Sequence, residues 1–491
     1  MIMITRDEVA SAAWHGMIWR FLERCSSQVV SFVVSIILAR LLLPEEYGII
    51  AMTMIFIALS EVFVTSGLGS ALIQKSSYDE ASFSTMFWAS VVFSLFLYGL
   101  LFLLAPYIAF LMHAPELVPV LRVLGLRLPI SAMNSIQQAY VSQQMIFKKF
   151  FFSTLSGTIS SGVIGLVMAY SGYGVWALVG QNIVMVIVNT AALHFLIPWR
   201  PTLFFSKRVF QSLYGFSWRI MLTSFIGTFF DQLRSFFIGR YYTPADLAYV
   251  NRGSQFPNLL AGNVSSTLQS VLFPAFSHLK EDKHALKQAV RKAMTMGGFL
   301  VAGLMAILAG TADTLIEVLL TDKWMDAVPY LQCVCLLECF GILSAINLQT
   351  IKAVGHADIL LKLELIKKPI YFALIMIGVF ISPFAIVLGN TVYNILGFLM
   401  NAFPNKRILD YPIRDQIKDV SAPILLGAAL FGVLCYVQTI LPHTILFLCV
   451  EGCMALVVYF TVAKLLRVVG AEYAYQMIAG KIKMKLGEGK A

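Results

Sequence analysis

Eight charged side chains interrupt otherwise apolar segments of this sequence, and their types suit anion binding or proton transfer. A charge at the centre of a bilayer costs about 2.5–3.5 kcal/mol on insertion scales, so such side chains should face a partner or water. Arginine stays ionised when it is dehydrated and can bind two phosphate oxygens at once. The sequence therefore predicts a cationic, substrate-binding cavity formed by Arg20, Arg24, Arg219, Arg234 and Arg252. The accompanying acids are Glu23, Glu61 and Asp231.

Two of these acids, Glu61 and Asp231, are candidates for coupling transport to H+ or Na+. Glu61 has no base close to it in sequence, and a lone carboxyl group in such a segment is suited to carry a proton. It could equally form a structural hydrogen bond to a neighbouring helix. Asp231 could instead be neutralised by Arg234, three residues away on the same helix. Arg20 and Arg24 could extend to the membrane interface rather than face a cavity.

The composition is typical of a protein embedded in a membrane. Of the 491 residues, 59% are hydrophobic and 13% are charged, and the mean hydropathy is +0.80. Soluble domains carry about 25% charged residues. Since a helix needs about 20 residues to cross a bilayer, we predict about fourteen transmembrane helices. The net charge of +10 is concentrated in alternate connections, which predicts cytoplasmic N- and C-termini and no nucleic-acid partner.

The sequence contains little that would support catalysis. Its seven cysteines fall inside predicted spans without metal-ligand spacing, so we predict neither a zinc site nor a disulfide. No cleavable signal sequence is expected, because the first long apolar stretch contains Arg20, Glu23 and Arg24. The pattern shows no nucleophile, metal cluster or phosphate loop. These observations favour a transporter without a cofactor, apart from H+ or Na+ as a coupling ion.

A thirteen-residue pattern occurs twice, at residues 35–47 and 235–247. Ser, Arg and Pro coincide, and an acid follows each proline at the same offset. A duplicated helical half in parallel orientation is typical of transporters built from two bundles. The predicted all-α organisation has these parts: an N-terminal six-helix lobe, 1–199; a cytoplasmic linker, 200–210; a C-terminal six-helix lobe, 211–408; a cytoplasmic connector, 409–419; helices 13 and 14, 420–468; and a basic cytoplasmic tail, 469–491.

The sequence also predicts where several connecting segments and their charged residues lie. The linker 200–210 is predicted to lie along the membrane surface, because it combines aromatic and basic residues. The charged segment 277–292 is predicted to extend the end of the helix before it. Arg122 and Arg127 are predicted to be residues of a membrane boundary rather than ligands. The lysines of the tail 469–491 are predicted to hold it at the cytoplasmic face.

Five ordered motifs resemble one family. Residues 39–48 read Ala-Arg-Leu-Leu-Leu-Pro-x2-Tyr-Gly, and residues 67–74 read Gly-Leu-Gly-Ser-Ala-Leu-Ile-Gln. Later come Leu-Phe-Pro-Ala-Phe-Ser at 272–277, Lys-Trp-x2-Ala-Val-Pro-x-Leu-Gln at 323–332 and Gly-His-Ala-Asp at 355–358. In this order and spacing they resemble Wzx-type polysaccharide and O-antigen flippases. The resemblance is to the colanic-acid-exporter-like branch of the multidrug/oligosaccharidyl-lipid/polysaccharide exporter superfamily.

The resemblance implies a V-shaped polytopic fold of fourteen helices with alternating access. It implies that an undecaprenyl-pyrophosphate-linked oligosaccharide is translocated across the bacterial cytoplasmic membrane for O-antigen, capsule or exopolysaccharide export. Related lipid flippases place cations from helices 1, 2, 7 and 8 in a central cavity, and Arg20, Arg24, Arg219 and Arg252 lie on three of these helices. The second helix offers Glu61 and no central base. Expected partners are this lipid-linked glycan, membrane lipids, and polysaccharide polymerase and export machinery.

Three other functions are weighed against the flippase. A cation-coupled multidrug antiporter of the same superfamily would favour an acid-rich cavity, whereas arginines outnumber acids here by five to three. A membrane glycan polymerase or ligase would be expected to carry a long outer loop with a catalytic Arg or His, and the predicted layout has none. A purely structural assembly scaffold would give buried arginines no evident purpose.

Overall fold

The computed structural model describes residues 6–66, 69, 72, 79–473, 475 and 476, and no β-strand occurs among them. Most of the motif at 67–74 and residues 477–491 of the predicted tail lie outside the described residues. The elements of the first half are α1 (Arg6–Leu41), α2 (Pro44–Thr65), α3 (Glu80–Leu111), α4 (Leu117–Leu124), α5 (Arg127–Gln143), α6 (Phe147–Tyr170), α7 (Val175–Leu196) and α8 (Lys207–Tyr241). Those of the second half are α9 (Pro244–His278), α10 (Lys283–Gly310), α11 (Ala312–Leu320), a 3-10 helix (Asp322–Ala327), α12 (Val328–Val354), α13 (Ala357–Val379), α14 (Pro383–Ala402), α15 (Asn405–Leu409), α16 (Ile413–Gln438) and α17 (Ile445–Leu465).

The helices confirm the predicted polytopic all-α membrane fold. Eleven helical segments of the described chain are long and apolar enough to cross a membrane. Three further long helices lie outside that set: α8 and α9, each of 35 residues, and α13, of 23 residues. Together they make fourteen long helical segments, the number predicted from composition. Polar and charged residues distinguish these three helices from the eleven apolar segments. The three helices are therefore candidates for binding a polar ligand.

The duplicated pattern forms the same turn in both copies. Helix α1 ends at Leu41 and α2 begins at Pro44, just as α8 ends at Tyr241 and α9 begins at Pro244. In the first turn, the Glu46 carboxylate accepts a hydrogen bond from the backbone N–H of Leu43 at 2.7 Å. In the second, Asp246 accepts the same bond from Thr243 at 3.0 Å. The acid after each proline therefore caps a helix N-terminus, where an N–H group would otherwise lack a partner.

A glycine permits close packing at this repeated turn. A side chain at Gly48 would place its Cβ 1.9 Å from the carbonyl oxygen of Pro244. The beginning of α2 thus packs against the beginning of α9 with no room for any side chain.

Backbone contacts divide the chain into two compact units, residues 1–248 and 249–491, called unit 1 and unit 2 below. Unit 1 has an aromatic core in which Phe83, Phe87 and Tyr140 surround the ring of Trp199. In unit 2, Phe299 stacks on Tyr459, whose hydroxyl donates a hydrogen bond to the Phe299 carbonyl at 2.9 Å. Each unit therefore buries its own apolar centre.

Two connecting regions differ from the sequence-based expectation. The segment 277–292 does not continue the helix before it: α9 ends at His278, and Asp282 accepts hydrogen bonds from the N–H groups of His284 and Ala285 to start α10. The prediction was wrong because Asp282 is an effective N-cap. In the segment 200–210, Ser206 caps α8, so the helix already begins at Lys207.

The cytoplasmic connector predicted at 409–419 is fastened to the start of α10. Arg291 donates two hydrogen bonds of 2.7 Å to the carboxylate of Asp419, and the hydroxyl of buried Tyr411 donates a third of 2.7 Å. Lys283 forms an ion pair of 2.9 Å with Asp410, which lowers the pKa of that carboxyl group. The connector is therefore a fixed part of unit 2.

His443, between α16 and α17, forms an ion pair with Glu317 of α11. The hydrogen bond with Glu317 raises the pKa of His443 above 6.5. A raised histidine pKa stabilises the fold fully below the unfolded value, and this contribution is lost as the pH rises through the folded value. We expect His443→Gln to lower the thermal midpoint by about 1–3 °C below pH 6.5 and by less at alkaline pH.

The measurement is thermal unfolding of purified protein between pH 5 and pH 9. Glu317→Gln should reproduce the effect of His443→Gln, and the double variant should add little to either. A midpoint difference that is independent of pH would contradict the assigned pair.

Candidate functional site

Arg20 lies on α1 and is partly engaged within unit 1. Its guanidinium group is 3.6 Å from the carboxylate of Glu23 and lies over the ring of Phe150, 4.0 Å from the ring centroid. Its side chain is still 39% exposed. Arg24, one turn further along, is exposed and makes no ion pair with the described residues. Arg24 is thus the more available of the two for a ligand.

Helix α8 presents three of the predicted charges. Arg219 is exposed, and its guanidinium carbon lies 5.9 Å from the ring centroid of Trp218, which is also exposed. Asp231 is exposed and Arg234 is half-buried, three and four turns further along the helix. Because Arg219 is charged and exposed on a long helix with many apolar residues, the face that carries it is expected to meet water or a polar ligand.

Arg252, on α9 in unit 2, is buried rather than open to a cavity. Its side chain donates a hydrogen bond of 2.5 Å to Gln255, and its guanidinium carbon lies 5.3 Å from the ring centroid of the buried Trp324. A side chain at the neighbouring Gly253 would lie 2.6 Å from the carbonyl oxygen of Ala327. Arg252 therefore packs between α9 and the start of α12 in this conformation.

Further along, α9 exposes a polar stretch. Three hydroxyl groups there donate hydrogen bonds to the helix's own carbonyl groups, which satisfies their polar atoms without another helix. The exposed polar residues of this stretch are Ser266, Thr267, Gln269 and Ser270. Exposed polar side chains in the middle of a long helix are expected beside a water-filled space rather than beside hydrocarbon.

Glu61 has a basic partner, Arg127, that is distant from it in sequence. Nε of Arg127, at the start of α5, lies 3.4 Å from Oε1 of Glu61, and the hydroxyl of Ser131 donates to the same oxygen at 2.9 Å. Arg127 also donates to the side-chain oxygen of Asn182 at 3.3 Å. Arg127, interpreted from sequence as a boundary residue, is thus a member of a polar cluster that joins α2, α5 and α7.

This cluster borders a polar cavity of about 240 Å3 within unit 1. The amide nitrogen of Asn134 donates to the hydroxyl of Thr190 at 3.0 Å, and Gln138 donates to Asn134 at 2.7 Å. The lining residues of α5 follow a helical period: Arg127, Ser131, Asn134 and Gln138. That spacing puts all four on one helix face and is the signal by which sequence could have identified the site. The cavity combines one carboxylate, one guanidinium group and several neutral oxygen and nitrogen atoms, a set suited to exchange a proton or hold a small cation.

No cluster of three or more His, Cys, Asp or Glu side chains that could hold a metal ion occurs within the described ranges. All seven cysteines are free thiols, and Cys333 and Cys335 are buried.

Comparison with known proteins places these features in a family. The family described as polysaccharide biosynthesis protein matches residues 37–329. The succinoglycan biosynthesis transport protein ExoT of Rhizobium meliloti is 26% identical over 351 residues, 71% of each chain. The lipopolysaccharide biosynthesis protein WzxC of Escherichia coli is 21% identical over 406 residues, 80% of each chain. A solved structure of the lipid II flippase MurJ, in an inward closed conformation, superposes with a TM-score of 0.73 at 14% identity, covering 92% of this chain and 98% of that one.

The matched region runs from the last turns of α1 to the start of α12 and includes both copies of the repeated turn. It covers more than half of the sequence, and the MurJ likeness extends the common fold over nearly all of it. The chain therefore belongs to the polysaccharide biosynthesis protein family, as the order of its motifs predicted.

Proposed function

We propose that this protein is a flippase that moves a polyprenyl-pyrophosphate-linked oligosaccharide across the bacterial cytoplasmic membrane by alternating access. The observation that carries the proposal is the presence of two 35-residue helices, α8 and α9, that expose polar and charged side chains along their middle. Membership of the family, together with the likeness to the succinoglycan transport protein ExoT and the lipid II flippase MurJ, supports the same function.

The physical task is to carry a diphosphate and several sugars through hydrocarbon. A hydrated cavity lowers that barrier because the headgroup keeps hydrogen-bond partners while it crosses. Guanidinium groups replace lost water with charge-assisted hydrogen bonds to the diphosphate. Arg24 and Arg219, exposed in unit 1, are the proposed first contacts for the diphosphate. Arg20 and Arg234 would join as the protein changes conformation, and Arg252 would do so once it leaves Gln255.

We further propose that a proton taken up at Glu61 drives the cycle, with Asp231 as a second candidate. Protonation of Glu61 removes its charge and so frees Arg127 from the 3.4 Å ion pair. The released guanidinium group can then turn to Asn182 alone, which repacks α5 against α2 and α7. Na+ bound among the oxygen atoms of the same cavity is the alternative coupling ion.

The membrane orientation belongs to this proposal. The excess of Lys and Arg in alternate connections supports cytoplasmic termini in the cytoplasmic (inner) membrane. The protein acts without catalysis and without a bound cofactor, and hands its substrate to polysaccharide polymerase and export machinery.

The proposal is tested with purified protein in liposomes that contain a fluorescent polyprenyl-pyrophosphate oligosaccharide. An impermeant quencher added outside should reach about half of the label in protein-free liposomes and nearly all of it when the protein is present. Organic cations should compete poorly with transport and polyprenyl pyrophosphate should compete well. If cations compete and the glycolipid stays in its original leaflet, the protein is an antiporter of the same fold.

A further inference from the structure

A long aromatic groove crosses unit 1, apart from the polar cavity at Glu61. It encloses about 960 Å3, and eight of its twelve lining residues are aromatic while none is charged. A second cleft of about 490 Å3 shares Phe63, Phe210, Tyr214 and Met221 with it, so the two form one continuous channel along α8. We call this channel the aromatic groove.

The walls of the groove are held in place by specific hydrogen bonds. The indole N–H of Trp88 donates to the carbonyl of Thr202 at 2.8 Å, and the hydroxyl of Thr202 donates to Ser84 at 2.9 Å. The backbone N–H of Ser206 donates to the hydroxyl of Thr85 at 3.2 Å. The segment before α8 is thereby fixed to α3, so the groove is a formed feature of unit 1 and not a gap left by a loose strand of chain.

Apolar side chains stay exposed along this fixed segment. Leu203 is 92% exposed and Phe205 is 56% exposed, and both line the groove. Exposed apolar residues on a segment held by hydrogen bonds to its own protein form a fixed apolar surface that contacts bilayer lipid or an apolar ligand.

Exposed basic residues lie beside the groove at two places on α8. Lys207 and Arg208 are exposed directly after the lining segment 203–205. Further along α8, Arg219 lies between the lining residues Trp218 and Met221 and is itself exposed. An apolar channel with an exposed arginine beside it complements a molecule with a long hydrocarbon chain and an anionic headgroup.

We infer that the aromatic groove binds the polyisoprenoid tail of the carrier lipid while Arg219 holds its phosphate. The inference rests on the proposed function and adds to it a place for the tail. Rigid, flat aromatic walls suit a chain stiffened by double bonds and methyl branches, whereas a saturated acyl chain needs no such lining. The tail would stay in the groove while the diphosphate moves along α8, which keeps the hydrocarbon out of the polar path.

Photo-crosslinking with a benzophenone-bearing polyprenyl phosphate tests the inference, using the full chain in nanodiscs of phosphatidylethanolamine and phosphatidylglycerol. The label should map to α3, to segment 203–205 and to the lining residues of α8. Ala89→Trp fills the groove and should lower labelling about tenfold, because bound apolar area is lost. Leu103→Trp is the matched control on the same helix: Leu103 is 76% exposed and lies outside the groove, so labelling should be unchanged.

A second variant guards against misfolding of the first. Leu203→Glu puts a charge at the mouth of the groove on a 92% exposed side chain, where packing is not disturbed, and should also lower labelling. Excess undecaprenyl phosphate should displace the probe, and the same excess of phosphatidylglycerol should not. Labelling elsewhere, wild-type labelling in both groove variants, or equal displacement by phosphatidylglycerol would overturn the inference.

The two proposals fail in different ways. If liposomes show glycolipid translocation but the probe labels helices outside the aromatic groove, the groove assignment is wrong and the flippase proposal is supported. If the probe labels the groove but no glycolipid crosses, the groove stands and the transport proposal is wrong.

Discussion

Replacing Arg219 with alanine is expected to slow glycolipid translocation about ten- to a hundredfold, the loss expected when hydrogen bonds to a charged group worth about 1.5–3 kcal/mol are removed. Arg219 is exposed on α8 and is stacked loosely beside Trp218, so its removal leaves no buried group without a partner. Folding should therefore survive the change. Initial rates of fluorescent glycolipid translocation in liposomes give the measurement.

The controls for this variant separate charge from shape. Arg219→Lys keeps the charge but loses the forked donor, and we expect an intermediate rate. Arg414→Ala removes an arginine that is also exposed but lies in the first turn of α16, so its rate should equal that of wild type. A wild-type rate for Arg219→Ala would remove this residue from the substrate path.

Glu61→Gln is expected to make transport insensitive to pH and to slow it at least about tenfold under a proton gradient, because the amide cannot release a proton. Glutamine keeps an oxygen that can accept the hydrogen bond of Ser131, which is 2.9 Å long in the wild type. The cavity should therefore keep its structure. Transport rates between pH 5.5 and pH 8.5, with and without a gradient, check this prediction.

Arg127→Gln supplies the complementary test. It removes the cation and keeps the Glu61 carboxyl group, so the pH dependence of transport should remain. Glu116→Gln is the matched control, an exposed acid before α4 outside the cavity. Should Glu61→Gln keep the wild-type pH dependence, the coupling site lies elsewhere, and Asp231→Asn becomes the next variant to measure.

The family and the all-helical membrane fold were predictable because both depend on local patterns. Apolar runs of about 20 residues predict spans whatever their neighbours are. The prolines at 44 and 244 and the acids two residues later predict a turn, which the structure shows twice. Ordered motifs then identified the family.

The partners of the charged residues were not predictable in the same way. Glu61 and Arg127 are 66 residues apart, and only the packing of α2 on α5 brings them together. The polar period on α5 could have indicated a functional face, but not what that face would meet. Sequence also treated Arg219 and Arg252 alike, although one is exposed and the other is buried beside Trp324. Their roles as ligands stay predictions until substrate binding is measured.

The glycine at the first repeated turn has a consequence for how the two copies diverge. The position that corresponds to Gly48 in the second copy is Ala248, which is buried and carries the methyl group that Gly48 cannot. The two copies are therefore not interchangeable at this position: a methyl group fits at 248, whereas at 48 it would collide with the backbone of Pro244.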